Sequence, residues 1–328
     1  MKKSDLKRKV YIWADADEVI GYGHFIRSLA LVSMIKEKFD CYFFTKDPTL
    51  FQRESVAAHC KLIKLPSGND RFDYFFNMIT GDEIVILDNY FFTSQYQKRL
   101  KTTGCRLICI GTNDKHYYAD AVINYILQQD SLSAEPYTKF CLGFEWVLLR
   151  EPFFNAKKTR KSTHQIKSVA ICFGGTDQFC LAEKTIRTLK AVSKDFNYHV
   201  ISTDVIGKLR IKKLRDQDVK VHINISAQEI IDVFSECDVA VLSASSIALE
   251  ASACEIPIVS GYYIDNQKGI YEKLLEANYI IGINDMCSEN FANSLLTAFN
   301  NLMSNKIKMN LFNPKNVRNN YIQLLSTL

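Results

Sequence analysis

No Cys-x-x-Cys pair occurs in this chain, although it carries ten cysteines, scattered from Cys41 to Cys287. None joins a Cys/His group with zinc-finger spacing, so a zinc finger and a disulfide scaffold are both excluded as readings. Most of the thiols sit inside apolar runs such as Ile108-Cys109-Ile110 and Ile171-Cys172-Phe173, where they serve as small, reduced core residues. No apolar run approaches the ~20 residues of a membrane helix, so no membrane insertion is expected. The basic N-terminus leads into Tyr11-Ile12-Trp13-Ala14-Asp15-Ala16-Asp17, too short and too acidic for the core of a secretory signal. The expected location is therefore cytoplasmic. Repeats, low-complexity tracts and clusters of metal ligands are also lacking. The basic groups Lys2-Lys3, Lys7-Arg8-Lys9, Lys157 to Lys161 and Lys208 to Arg215 come without a nucleic-acid recognition motif. They read as solvated faces, and nucleic acid is not an expected partner.

What is present is an ordinary globular composition: 328 residues, 47% hydrophobic and 23% charged, with a formal charge of +5. That length suggests two domains, and the modest positive charge suits a phosphorylated small substrate. The first half alternates apolar β-type runs (Val10–Ala14, Cys41–Thr45, Cys60–Lys64, Glu83–Leu87, Arg106–Ile110, Ala121–Asn124) with helix-like segments. Those segments are Gly23–Phe39, Pro48–Ala58, Arg71–Thr80 and Ser94–Thr103. This alternation predicts a parallel, doubly wound α/β sheet, in which ligands bind at the carboxyl ends of the strands. The pattern lapses over residues 151–167, read as a linker, and then restarts. Strands are expected at Ser168–Phe173, Tyr198–Ser202, Val219–Ile223, Val239–Leu242 and Ile256–Val259. Helices are expected near Ala182–Ser193, Ala227–Ser235, Ser246–Ala253, Asn266–Glu276 and Glu289–Met303. The expected organisation is a Rossmann-like domain over 1–150 and a second over 168–328, facing each other across a cleft. The sequence leaves open whether the last helix, around Val317–Leu325, crosses back onto the first domain.

Five stretches carry candidate chemistry. Gly21-Tyr22-Gly23-His24 joins a buried strand to a helix, so its glycines permit close approach of a ligand and its free N–H groups suit an anion or a sugar oxygen. His24 would there present an imidazole that titrates near neutrality; the alternative is a plain strand–turn–helix corner. Phe173-Gly174-Gly175-Thr176-Asp177 is either a pyrophosphate-wrapping turn or a tight turn capped by Thr176 or Asp177. Like charges repel, so Asp177 suits the cap better than the phosphate. Ser243-Ala244-Ser245-Ser246 opens a helix on which Glu250 follows about one turn later. A carboxylate in so apolar a segment is costly unless paired, and two vicinal ribose hydroxyls would pair it; a structural glutamate is the other reading. Asn266-Gln267 opens a helix, as a cap or as a sugar contact, and Tyr90 in Asp88-Asn89-Tyr90 is read as half-core or catalytic.

In this order, with Asp15 before Gly21-Tyr22-Gly23-His24-Phe25-Ile26-Arg27 and Gly143-Phe144…Leu149-Arg150-Glu151…Phe153 in between, these motifs resemble a known family. It is the UDP-2,4-diacetamido-2,4,6-trideoxy-β-L-altropyranose hydrolases of pseudaminic acid biosynthesis. They are related to the inverting GT-B glycosyltransferases, among them the lipid II enzyme of peptidoglycan synthesis. The resemblance runs from about Val10 to Ala277. It implies a GT-B-like fold of two Rossmann-like domains, with His24, Tyr90 and Asn266 as catalytic residues. Asp15, Gly21, Gly23, Arg27, Gly174, Gly175, Thr176, Ser245, Ser246, Glu250 and Gln267 would bind the substrate, a UDP-sugar serving surface-glycan synthesis. Water would attack the anomeric carbon with inversion, without a metal or other cofactor, in a monomer or weak dimer. A GT-B glycosyltransferase is the alternative, and a non-catalytic nucleotide-sugar-binding protein the second alternative. Three positions depart from the family: Trp13 where it has Arg, Gly111-Thr112 where it has an Asp pair, and Ile126 where it has Asn. All lie in the half expected to face the sugar.

Overall fold

Ile84-Val85-Ile86-Leu87 offers no polar side chain to water and is buried along its whole length. Parallel strands covered by helices on both faces have this character, and the computed structural model is built from them. It describes residues 7–17, 20, 22–111, 116–126, 132–156, 166–174, 177–202, 218–304, 309–310, 312 and 314–328. The chain divides into two compact units, one of Met1–Glu151 with Pro314–Leu328, the other of Pro152–Asn313.

In the first unit seven parallel strands, among the described residues, lie in the order β3-β2-β1-β4-β5-β6-β7. They are β1 (Lys9–Trp13), β2 (Asp40–Lys46), β3 (Lys61–Leu65), β4 (Ile84–Leu87), β5 (Arg106–Ile110), β6 (Ala121–Asn124) and β7 (Lys139–Leu142). Helices α1 (Gly23–Ile35), α2 (Leu50–Ala57), α3 (Asp70–Asn77) and α4 (Ser94–Lys101) connect the first five. Alternation along β1 sends Tyr11 and Trp13 into one core with Phe75 of α3 and Leu100 of α4. Trp13 sits among aromatic rings there, 4.8 Å from Phe75 and 4.9 Å from Phe92. Each such side chain contributes ~1.5–3 kcal/mol by leaving water. On β2, Phe43 meets Phe25 of α1 at 5.2 Å. The C-terminal helix α10 (Val317–Thr327) belongs to this unit: Arg318 Nε donates to Met34 O at the end of α1, and Tyr321 Oη to Trp146 O.

Among the described residues the second unit holds a six-stranded parallel sheet in the order β10-β9-β8-β11-β12-β13. Its strands are β8 (Ser168–Cys172), β9 (Asn197–Ser202), β10 (Val219–Ile223), β11 (Val239–Ser243), β12 (Ile258–Tyr262) and β13 (Ile281–Asp285). Its helices are α5 (Leu181–Lys190), α6 (Ala227–Glu236), α7 (Ser246–Ala253), α8 (Lys268–Glu276) and α9 (Phe291–Met303). Val169, Ile171, Val241 and Val259 pack on Leu189 of α5 and on Leu295 and Phe299 of α9. Ala170, Ala240 and Leu242 on the opposite face are equally buried. β7 and β13 were not expected from the sequence; both are sheet-edge strands with mixed burial.

The strand orders position the site. In each sheet the chain winds outward one way from its first strand and then resumes on that strand's other side. Such a reversal opens a crevice at the carboxyl ends of the two central strands. In the first unit it lies between β1 and β4, in the second between β8 and β11.

Candidate functional site

At the β1/β4 crevice, α1 begins at Gly23, and no side chain caps its first turn. Gly23 is exposed, and nothing lies within 4 Å of where a Cβ would stand. Residues three and four apart share one face of a helix, so His24, Arg27 and Ser28 point together, and all three meet Asp88 just beyond β4. His24 Nδ1 is 2.7 Å from Asp88 Oδ1, Arg27 Nε donates to Oδ2 at 2.7 Å, and Ser28 Oγ donates to Oδ2 at 2.8 Å. Arg27 Nη2 also donates to Oδ1. Arg27 Nη2 also stands 3.0 Å from His24 Nδ1; a carboxylate only accepts and a guanidinium only donates, so the two neighbours of Nδ1 favour opposite tautomers. Among the described residues no hydrogen bond reaches Nε2, and the ring is buried. Asp88 is fully buried. Burial opposes its charge, but the Arg27 guanidinium and the bonds from Arg27 and His24 prevail and hold its carboxyl below the ordinary 3.8. Tyr90 is 59% exposed and sets its ring edge-on to His24 at 4.6 Å.

Gly111 ends β5 at φ +58°, and a Cβ there would stand 3.0 Å from Arg27 Nη2. The position thus makes room for the guanidinium that holds Asp88. Asp15 is fully buried beneath the same rim. Its backbone N–H donates to Asn89 Oδ1 at 2.7 Å, and Asn89 Nδ2 returns a bond to Asp15 O at 3.2 Å. Its Oδ1 accepts from Trp13 Nε1, Thr45 Oγ1 and Lys46 N. Burial pushes the Asp15 carboxyl above its ordinary range despite the bonds from Lys46 and Trp13.

The β8/β11 crevice is made of smaller parts. Gly174 has φ +79°, a conformation costly for any residue with a Cβ. Tyr263 Oη donates to Phe173 O at 2.9 Å and closes over this turn. Asp177 accepts from Leu181 N and Ala182 N at 2.8 and 2.9 Å, the capping role that its charge favours. α7 begins at Ser246 without a side-chain cap, and Ser243 Oγ and Ser245 Oγ bond each other at 3.2 Å. Ser246 is exposed, while Glu250 is buried one turn further on. Beside β12, Asn266 is exposed, and Gln267 is buried with its Oε1 accepting from Tyr263 N at 3.1 Å.

Of the residues singled out from the sequence, His24, Arg27 and Tyr90 thus gather at the first crevice, with Asp15 beneath it. Gly174, Ser245, Ser246 and Glu250 line the second, with Asn266 and Gln267 at the adjoining strand. Gly21, Gly175 and Thr176 lie outside the described residues, as does Thr112. Sequence reasoning did not give Asp88, Ser28 or Arg71 a part. The i, i+3, i+4 spacing after His24 was the available signal for Ser28, and a lone Asp ending a buried strand the signal for Asp88. Among the described residues no group of three or more His, Cys, Asp and Glu stands where it could hold a metal. No helix among them is long and apolar enough to cross a membrane.

A comparison with protein-family profiles finds no match. The chain is 24% identical over 293 residues to UDP-2,4-diacetamido-2,4,6-trideoxy-β-L-altropyranose hydrolase of Campylobacter jejuni, covering 83% of this chain and 97% of that one. It is 25% identical over 287 residues to an uncharacterised protein of Methanocaldococcus jannaschii, covering 82% of this chain but only 58% of that protein. Among solved structures, MurG of Acinetobacter baumannii is similar over 98% of this chain and all of its own, with a TM-score of 0.64 at 10% identity. The HepE protein of Anabaena in complex with UDP is similar over 98% of this chain and 95% of its own, at 0.60 and 12%. The chain has the GT-B fold. The similarity to the Campylobacter hydrolase and to GT-B glycosyltransferases agrees with the resemblance read from the motifs.

Proposed function

We propose that the protein hydrolyses a UDP-sugar, releasing UDP and the free sugar with inversion at the anomeric carbon. The observation that carries this reading is the His24–Asp88 contact at 2.7 Å: with the ring proton on Nδ1, toward the carboxylate, Nε2 serves as the base at the β1/β4 crevice. Nε2 takes a proton from water as the water oxygen bonds to the anomeric carbon and the bond from that carbon to the diphosphate oxygen breaks. The electron pair leaves with UDP, and the proton stays on an imidazolium that Asp88 stabilises. A positioned base of this kind contributes ~10²–10⁴-fold to rate. Tyr90, edge-on to His24, contacts the sugar. The second unit holds the nucleotide: the turn at Gly174 and the open N-terminus of α7 meet the diphosphate charge, and Glu250 accepts from the ribose hydroxyls. The Campylobacter relative, a hydrolase of a diacetamido sugar nucleotide by its name, supports an acylated amino sugar as the substrate class.

The likeness to glycosyltransferase structures favours a second reading, in which Nε2 deprotonates an acceptor hydroxyl instead of water. Incubation with a panel of UDP-sugars, without acceptor and in chelator, separates the two. Release of free UDP under those conditions is the expected result. Release only after an acceptor alcohol is added makes the protein a transferase, and tight binding without turnover makes it a sensor.

A further inference from the structure

His116 links a hydroxyl to a carboxylate on the far side of the first sheet's β5. Its Nδ1 stands 2.8 Å from Ser133 Oγ, and its Nε2 stands 3.0 Å from Glu135 Oε1. The carboxylate can only accept, so Nε2 carries the ring proton and Nδ1 accepts from the Ser133 hydroxyl. Among the described residues no other hydrogen bond reaches either ring nitrogen. The backbone brings the three together. Tyr117 and Ala134 form a parallel bridge between the segments that precede β6 and β7. Tyr117 N donates to Ser133 O at 2.8 Å, and Glu135 N donates to Tyr117 O at 3.0 Å. Side chains alternate along extended chain, so the flanking His116, Ser133 and Glu135 share the face opposite the buried Tyr117. Ser94 Oγ, opening α4, donates to His116 O at 2.6 Å, and the Tyr118 ring meets the imidazole edge-on at 5.0 Å. Ser133 is exposed, and the His116 and Glu135 side chains are 34% and 31% exposed, so a solute can reach the hydroxyl.

A nucleophile bonded to a base that a third group orients is the arrangement of covalent acyl transfer. The two ring nitrogens have exchanged partners relative to the usual Ser-His-acid order, but the proton path from hydroxyl to imidazole is the same. We propose that Ser133, His116 and Glu135 form a catalytic site, made from residues of neither crevice, that hydrolyses short-chain carboxylic esters. Ser133 Oγ bonds to the ester carbonyl carbon as its proton passes to His116 Nδ1. The bond from that carbon to the alkoxy oxygen breaks, and the alcohol leaves with the proton. Water then bonds to the acyl carbon and gives a proton to Nδ1. The bond to Oγ breaks, Oγ takes the proton back, and the carboxylic acid departs. Glu135 is a positioning residue: it fixes the tautomer and meets the charge that the ring gains. The N–H of Ala134 directly follows the nucleophile and, among the described residues, donates to nothing, so it is free to meet the oxyanion. One such donor suits an alcohol as leaving group better than an amine. This inference goes beyond the UDP-sugar reading and does not depend on it.

Treating the full chain with diisopropyl fluorophosphate and mapping its peptides by mass spectrometry tests the site. The expected adduct is on Ser133, and p-nitrophenyl acetate should release p-nitrophenol with a burst as the acyl-enzyme accumulates. Ser133→Ala should lose both the adduct and the burst. His116→Gln should slow labelling ~10²–10⁴-fold, the worth of a positioned base. In Glu135→Gln the amide can donate to Nε2 as well as accept from it, so the ring proton is free to sit on Nδ1. Labelling should slow there too, with the melting midpoint unchanged, which a merely structural role would not produce. All three side chains are at least partly exposed, so every variant should melt with the wild type. A folded wild type that takes no label on Ser133 overturns the proposal, as does labelling of His116→Gln at the wild-type rate. A burst that persists in Ser133→Ala assigns the ester cleavage to another nucleophile and overturns it as well.

Discussion

At the crevice between β1 and β4, four side chains are bonded to one another: His24, Arg27 and Ser28 all converge on a buried Asp88. At the crevice between β8 and β11 the parts are a glycine turn, small hydroxyls and an uncapped helix. Both sheets wind the same way, so topology alone does not explain the contrast. A closed ionic network holds one ring in place, which proton transfer needs. An open set of backbone donors has little to give until an anion arrives, which binding needs. On the proposed function the two crevices divide chemistry from grip, and substitutions should then fail in different ways at each.

The largest effect is expected at Asp88. Asp88→Asn leaves the partly buried Arg27 without its counter-charge and should lower stability by ~3 kcal/mol in urea unfolding. The pH dependence has a definite sign. The folded carboxyl titrates below the ordinary 3.8, so its contribution is complete above that value and is lost as pH falls through the folded pKa. Wild-type stability should drop over that acid range by more than the variant's. An equal acid dependence would remove Asp88 from the ionic network.

Next is Glu250→Ala, which should weaken UDP binding in calorimetry ~10–100-fold, the worth of one charge-assisted bond, with little effect on kcat. Unchanged affinity would take Glu250 out of the nucleotide site. A matched pair of glycine substitutions sharpens the contrast, since both positions have positive φ. Each should cost ~1–2 kcal/mol of backbone strain. Gly111→Ala, by pressing on Arg27, should lower kcat and spare UDP affinity; Gly174→Ala should do the reverse. If both variants lose the same parameter, the division of labour fails. The smallest effect serves as the control. Thr49 caps α2 through a reciprocal bond pair with Gln52, so Thr49→Ala should cost ~1 kcal/mol in melting experiments and leave both crevices unchanged.

Much of the frame was legible because buried parallel strands read as unbroken apolar runs, as in β1, β4 and β11. β7 (Lys-Phe-Cys-Leu) and β13 (Ile-Gly-Ile-Asn-Asp) escaped notice because the first has only a short apolar run and the second is interrupted by Gly282 and Asn284; edge position is not the reason, since β3 and β10 are edge strands too and were legible. The strand expected at Ile256–Val259 begins instead at Ile258, past Pro257, which has no N–H to give a ladder. At the site, residues within one local motif were readable, as with His24 and the serines opening α7. Their partners were not. Asp88 lies 64 residues from His24, and Arg71 reaches Asp15 from a helix two strands away. Local periodicity carries no information about such pairings; they follow from strand order. Trp13 illustrates the limit, since a departure from a family pattern turns out to pack among aromatic rings and to donate to Asp15.

The most direct test of this division is the steady-state behaviour of His24→Ala on a UDP-sugar that the wild type cleaves, paired with a UDP titration. The account predicts that kcat falls ~10²–10⁴-fold while KM and UDP affinity stay within experimental error of the wild type. A variant that keeps its kcat, or that loses UDP affinity in step with rate, would contradict it.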